Sequence, residues 1–589
     1  MATDSRARTF CAALCRNTRR SVDALRARGR CSRAPSEVHA TRSAGHDAQD
    51  RRMSDLSMTR ARPRCGVGPP ASTYPLPGVL APEGDSMRVL FTIYPNSLAH
   101  LYGAVPLAWA LQSAGHEVRI AAHHSSAEQI MTTGLCPVAL GDPDGPPIRL
   151  TDDGDPPRDS FEVEHYARVM GLTGKERERW ITFYQYLTVP LSDYVRVDRQ
   201  EASDLVDFAR SWRPDLVLWD VTTPYAAVAA RACGAAHARL ANGEDVLSFS
   251  LLKLAEYTKE LEAAGLDPDP LATMVRPLAE RYGMEVDDEM RYGQWTVNAM
   301  PEGLSLPSPL TRVHMRHIPY AGAEVFPTWL YEKPERPRVA MSLGESTRRF
   351  IVGDWDRTPT IMRALDGLDV EVIATLNDVQ LDGVEKVPDN VRTIDWVNLT
   401  HLMPTCSALI HHGGIGTFSA AAMAGVPQLV CDIADESLLL KLVEQEPGTL
   451  TPGSYHQGIE LGVREETVSA PAVQWELPAK KLEAGPVSDY VISKHAGARL
   501  DHRALSVDEM RELIWRVATE DSYRQGAATV YEQWRATPSP SDIVPVLERM
   551  TADYRRGGNL ALRGARSLAA SLDRHRKEID DVLSVLNSR

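Results

Sequence analysis

Residues 407–425 read SALIHHGGIGTFSAAAMAG, and few architectures can use such a run. SALI is the end of a buried strand, the glycines at 413, 414 and 416 turn the chain, and FSAAAMAG is a helix closed by Gly425. A glycine-rich turn from a strand's carboxyl end to a helix's amino end is an α/β feature. Its orphan N–H groups and the positive end of the helix dipole can hold phosphate. His411 and His412 add side-chain donors, and Thr417 adds a hydroxyl. Taken alone, the turn fits either a nucleotide site or an ordinary strand–helix connection. A metal site fits less well, because adjacent histidines diverge and no acidic or cysteine partner stands nearby in sequence.

The surrounding pattern extends the α/β reading in both directions. RVLFTIY (88–94), GAVPLAWALQSAG (103–115) and EVRIAA (117–122) form a βαβ unit, and PDLVLWD, TPYAAVAARACG and AHARLA (214–241) form another. A second series begins near Arg338 with RVAMSL, TIMRALDGL, EVIATL, NVRTIDWV, ALIHH and PQLVC. The expected organisation is therefore two Rossmann-like, doubly wound domains at 87–310 and 338–555, joined by a proline-rich crossing at 311–337. An apolar and turn-rich stretch at about 445–494 interrupts the second domain as an ordered insertion, a lid, subdomain or partner surface rather than a linker, and 556–589 is a helical tail.

Charge marks one more boundary. Of the 589 residues, the first 86 carry fifteen Arg and no Lys against eight acidic residues, a balance of +7 within a total of −14. This leader lacks apolar periodicity and is expected to be disordered, with translation starting at Met87; an Arg-rich transit peptide is the alternative. The remainder is acidic, which argues against nucleic acid as the main partner. No apolar run approaches the ~18–20 residues that span a bilayer, so a cytoplasmic protein is expected. Cys136, Cys233, Cys406 and Cys431 stand apart with no CxxC pair, so neither a zinc site nor a disulfide framework is indicated.

VPDNVRTIDWVNLTHLMPTCSALIHHGGIGTFSAAAMAGVPQLVCDIADE resembles the donor-binding signature of GT-B glycosyltransferases of family 1. The likeness is strongest to the bacterial enzymes that attach deoxysugars to macrolides and other polyketides, the erythromycin desosaminyl- and mycarosyltransferase group. HLYGAVPLAWALQSAGHEVRIA, RPDLVLWD, GQWTVN, MRHIPYAG, PTWLYEKPERPRV and SPSDIVPVLERM extend it over most of 87–445 and 495–552.

The resemblance implies a GT-B fold with a cleft between the domains, and it implies residue roles. Trp396 stacks the nucleotide base. His411, His412, Gly413, Gly414, Gly416 and Thr417 hold the diphosphate, with Gly344 and Ser346 approaching the same phosphates. Asp435 and Glu436 stand where an acid followed by Gln or Asn binds sugar hydroxyls, and Glu436 departs from that pair. On residue type alone, Trp396 also suits a core position, and Asp435 with Glu436 suits the acidic first turn of a helix.

Attack by a hydroxyl on an anomeric carbon is helped by a base near neutral pH. His100, after the first strand, matches the family's catalytic histidine, and Asp220, ending DLVLWD, matches the acid that orients it. A helix N-cap is a competing role for Asp220. The implied reaction is inverting transfer from a dTDP-deoxysugar to a polyketide-type aglycone. The nucleotide sugar is a co-substrate, and neither a cofactor nor a divalent metal is called for. DPD (142–144) and DGD (153–155) read as solvated loops rather than metal motifs. A P450-like auxiliary protein is an expected partner. A UDP-hexose transferase and a catalytically silent GT-B scaffold remain as alternatives.

Overall fold

The computed structural model describes residues 86–95, 97–144, 160–181, 183–184, 200–344, 357–378, 380–432, 439–446, 449–450, 474–478 and 484–557. The expectations for the leader, for Ser346, Asp435 and Glu436, and for the tail beyond 557 lie outside these residues.

Seven parallel strands make the first sheet: β1 (Arg88–Thr92), β2 (Glu117–His123), β3 (Cys136–Leu140), β4 (Leu216–Asp220), β5 (Ala236–Ala241), β6 (Trp295–Asn298) and β7 (Arg312–His314), in the order β3-β2-β1-β4-β5-β6-β7. The order reverses between β1 and β4, which face each other in register from Val89↔Leu216 to Thr92↔Trp219. Strands covered by helices on both faces are apolar without alternation, and β4 (LVLWD) is buried at all five positions.

The second sheet is also parallel: β8 (Arg338–Ser342), β9 (Glu371–Thr375), β10 (Val391–Ile394), β11 (Ala408–His411), β12 (Gln428–Val430) and β16 (Gly497–Arg499), in the order β10-β9-β8-β11-β12-β16. Between β12 and β16 the chain adds β13 (Leu439–Glu446), which begins ahead of the insertion expected from about 445, then β14 (Thr449–Leu450) and β15 (Gln474–Pro478), an antiparallel sheet in the order β14-β13-β15.

Five helices position the functional residues. They are α1 (Leu98–Ser113), α2 (Tyr225–Cys233), α3 (Ile415–Ala424), α4 (Ala484–Ser493) and α5 (Pro540–Arg555). α1 begins five residues earlier than its apolar spacing predicts, which brings His100 into its first turn. Gly234 ends α2 and Gly425 ends α3 in the left-handed conformation, with φ of 73° and 64°, as the sequence predicts at 425.

Two features differ from the expected boundaries. β7 lies inside the expected crossing segment at 311–337, yet it completes the first sheet by pairing with β6. α5 falls within the expected second domain but buries Ile543, Val544 and Leu547 in the core beneath β1, β2 and α1. Its capping box, Ser539 with Asp542, fixes where the helix starts. Each fully buried aliphatic side chain of this kind contributes about 1.5–3 kcal/mol. The buried ring of His116 adds a polar tie, accepting the Met87 N–H at Nδ1 and meeting Glu548 Oε1 at 3.0 Å through Nε2.

The two sheets meet through loops at their carboxyl ends. Met300 and Leu304, which follow β6, pack with Phe418 of α3 and with Val487 and Tyr490 of α4. Tyr490 lies so close over Gly303 that a Cβ there would stand 2.7 Å from its ring.

Candidate active site

The dyad forms where the first sheet reverses strand order. His100 is carried on α1 just after β1, and Asp220 is the last residue of the neighbouring β4, so two adjacent strands deliver both groups to one point. His100 Nδ1 and Asp220 Oδ2 are 2.5 Å apart; the aspartate side chain is 3% exposed and the imidazole 32%. The Tyr94 ring, 5.3 Å from the imidazole centre to centre, flanks it.

Asp220 is not the N-cap of α2, since Pro224 occupies that position. Its other oxygen, Oδ1, instead accepts from the Thr222 N–H at 2.9 Å and the Thr222 hydroxyl at 2.6 Å. Burial pushes the Asp220 carboxyl up, but the His100 charge and the hydrogen bonds from His100 and Thr222 outweigh it and hold the group below the usual carboxylate range. Thr223 extends the brace, donating to the Asp220 carbonyl at 3.0 Å and meeting Thr92 Oγ1 of β1 at 2.7 Å.

On the second sheet, β11 ends at His411, Gly413 turns the chain with φ of 92°, and Gly414 is the N-cap of α3. A glycine cap has no side chain to accept from the N–H groups of the first helical turn. Those donors therefore point toward whatever anion arrives.

The adjacent histidines have different surroundings. His411 is fully buried, and its Nδ1 accepts the Gly413 N–H at 3.2 Å. Burial, then the neighbouring His412, lowers its pKa to about 3 against a weaker opposing bond to Gln428. His412 turns the other way, into the space between two glycines: a Cβ on Gly344, whose φ is 89°, would stand 2.5 Å from its ring, and Gly414 crowds the same ring. Burial and the charge of Arg357 lower its pKa to about 4, so it is neutral at pH 7. His411 thus supports the turn from within the core, and His412 is the imidazole beside the glycine loops.

Trp396 is 44% exposed just beyond β10, which excludes the core reading of this residue. Gly416 is exposed and Thr417 buried in the first turn of α3. Ala484, the first residue of α4, presses its backbone on Gly413, so the insertion returns to the fold directly over the turn. Thr222 and Ala484 are the additions that sequence reasoning missed. An Asp followed two residues later by Thr is a turn signature that could have revealed Thr222. Ala484 carried no local signal. Among the described residues, no group of three or more His, Cys, Asp or Glu could hold a metal ion, and no helix is long and apolar enough to cross a membrane.

The sequence matches two family profiles, the erythromycin biosynthesis protein CIII-like N-terminal domain over residues 109–344 and the corresponding C-terminal domain over 359–450. The chain belongs to the erythromycin biosynthesis protein CIII-like family. It is 36% identical over 488 residues to the aclacinomycin-T 2-deoxy-L-fucose transferase of Streptomyces galilaeus, an alignment covering 82% of this chain and 98% of the relative. The 10-deoxymethynolide desosaminyltransferase of Streptomyces venezuelae is 33% identical over 473 residues, covering 80% and 98%. Among solved structures, the glycosyltransferase VinC in complex with dTDP superimposes with a TM-score of 0.58 at 29% identity, covering 79% of this chain and all of VinC. This member of the CIII-like family is therefore a glycosyltransferase with the GT-B fold.

Proposed function

We propose that the enzyme transfers a deoxysugar from a dTDP-sugar to a hydroxyl of a polyketide-type aglycone, with inversion and without a divalent metal. The observation that carries this reading is the 2.5 Å His100–Asp220 dyad, on a sheet whose carboxyl-end loops meet those bearing the HHGGIGT turn. Asp220 holds His100 by its Nδ1–H, so the acceptor's proton passes to Nε2 and the ionised carboxylate stabilises the imidazolium that forms. The acceptor oxygen bonds to the anomeric carbon as the bond to the diphosphate breaks. One base, with the leaving group held across the cleft, supports a single displacement, which inverts that carbon.

Charge on the departing diphosphate is met by the N–H groups that open α3 and by the neutral His412, acting as a hydrogen-bond donor. Trp396, exposed beyond β10, is assigned to the thymine, and Gly344 to the close approach of the phosphates. The deoxysugar transferases among the relatives and the dTDP bound by VinC support the choice of donor.

Isothermal titration with dTDP and UDP in EDTA tests the donor half. Binding of dTDP that needs no metal, exceeds that of UDP and weakens in His412→Ala is expected. Binding only with Mg²⁺ overturns metal independence, and a preference for UDP overturns the nucleotide assignment. His100→Ala should retain dTDP affinity and lose turnover. Unchanged turnover removes the proposed base.

A further inference from the structure

Trp396, assigned above to the nucleotide base, follows β10 by two residues and carries an exposed ring between exposed Asp395 and buried Val397. Such a ring keeps one orientation only where the backbone on both sides of it is fixed. β10 fixes the side before it. On the side after it, Asn398 caps the short helix Leu399–Leu402, and its Oδ1 accepts the Thr400 N–H at 3.0 Å and the Thr400 hydroxyl at 2.8 Å. Asn398 is buried, and its own N–H finds an acceptor 74 residues away, in the crossing between β7 and β8.

That acceptor is Glu324. Its Oε1 takes the Asn398 N–H at 3.1 Å and stands 2.9 Å from His401 Nδ1. A carboxylate only accepts, so the imidazole donates from Nδ1. One oxygen thus joins both ends of the capped turn, and the Phe326 ring, centred 5.1 Å from the imidazole, covers the same histidine. Exposed ion pairs contribute little, because two mobile side chains must be held still in water. Glu324 differs on both counts: its side chain is 12% exposed, and the chain that carries it is anchored upstream. Four residues earlier, Tyr320 meets the rings of Tyr102 and Trp109 edge to face, at 5.0 and 5.1 Å. Gly322, with φ of 80°, turns the chain beneath the Tyr102 hydroxyl, where a Cβ would stand 3.3 Å away. Tyr102 is two residues past His100, so this short run ties the helix that carries the base to the loop that carries the indole.

We propose that Glu324 is a positioning residue for the donor: from the crossing between the two sheets it fixes the turn after Trp396, so that the indole is held ready for the nucleotide base. The proposal rests on the assignment of Trp396 to the base given above. In this role Glu324 acts through the loop and makes no contact with the nucleotide. With the turn already set, dTDP does not have to order it on binding, and that ordering is a cost which weakens association. Without the carboxylate, Asn398 N–H and His401 lose their acceptor together, and the turn relaxes to recover hydrogen bonds elsewhere. The phosphate turn stands on β11 and α3, so the loss falls on the base.

A double-mutant cycle on the full chain, read by isothermal titration with dTDP at pH 7, tests it. Glu324→Ala is expected to weaken dTDP about tenfold, as loss of a charge-assisted contact does, and to have no further effect once Trp396→Ala is present. Glu324→Gln, whose carbonyl still accepts both donors, should stay within about threefold of the parent. His401→Ala removes one donor and keeps the backbone bond, so it should cost about threefold, again only where Trp396 is present; it carries the test if Glu324→Ala does not fold. Parent-like affinity in both Glu324→Ala and His401→Ala overturns the proposal, as does a loss of equal size with and without Trp396, which marks a general effect on the fold. Unchanged affinity in Trp396→Ala strikes instead at the base assignment and removes the proposal with it.

Discussion

The two sheets treat buried ionisable groups in opposite ways. At the carboxyl end of the first, Asp220 is 2% exposed yet kept ionised, with His100 on one oxygen and two Thr222 donors on the other. At the carboxyl end of the second, His411 and His412 are held neutral, with pKa values lowered to about 3 and about 4. The first half carries a charge that is already solvated by the protein. The second offers dipoles and uncharged donors to a charge that arrives with the substrate. In the proposed reaction the acceptor side is therefore prepared in advance, whereas the donor side is completed by its ligand.

The largest effect that can break this contrast is loss of the dyad. His100→Ala should lower kcat by about 10²–10⁴-fold, the usual contribution of a positioned base, and Asp220→Asn should approach it. In single-turnover assays with saturating donor, a variant within threefold of the parent would show that the ionised pair is not a catalytic one.

Acidity probes the other half. His237 and His411, at about 3, and His317 and His412, at about 4, stay neutral in the folded chain, whereas unfolded imidazoles take up protons below about 6.5. Their contribution is therefore whole above pH 6.5 and is lost as pH falls toward the folded values. At pH 4 the loss is roughly 3 kcal/mol for each of the two lowest. Melting temperature recorded from pH 7 to pH 4 should fall steeply, and His237→Phe should flatten the fall.

Variants of the adjacent histidines sharpen the comparison within one turn. His411→Ala empties a fully buried position and should lower thermal stability by about 2–4 kcal/mol. His412→Ala should cost about tenfold or more in dTDP affinity, as loss of one donor to a charged group does, with little change in melting temperature. Reversed phenotypes would show that the imidazoles have been assigned to the wrong faces.

The smallest expected effect concerns Thr222. Thr222→Val removes one of the two donors to Asp220 Oδ1 and should lower kcat about three- to tenfold while KM for the donor holds, and Thr222→Ser should restore it. A loss in the serine variant equal to that in the valine variant would mean that the methyl group, which serine lacks and valine keeps, matters there as much as the hydroxyl.

Much of this was legible in the chain itself, because the informative signals are local. The alternation of apolar runs with helices gives both parallel sheets. DLVLWD ends at Asp220, and Gly413 and Gly425 announce a turn and a helix stop. What stayed hidden depends on residues distant in sequence. Nothing in HHGG says which imidazole faces the core, since that follows from Gln428 behind one ring and Gly344 before the other. The N-cap role for Asp220 was a fair local reading, and it yielded to Thr222 and to a partner 120 residues away. Helical spacing in IVPVLERM marks a buried face without saying against which sheet it is buried.

That last helix bears on how the chain is made. The core beneath β1 stays open until Ile543, Val544 and Leu547 are available to close it, although β1 itself begins at Arg88. At ~5–20 residues per second, synthesis of the intervening stretch takes roughly 20–90 s. The domain that leaves the ribosome first is thus the last to be finished, and through that interval its apolar underside is exposed to the chaperones of the cell.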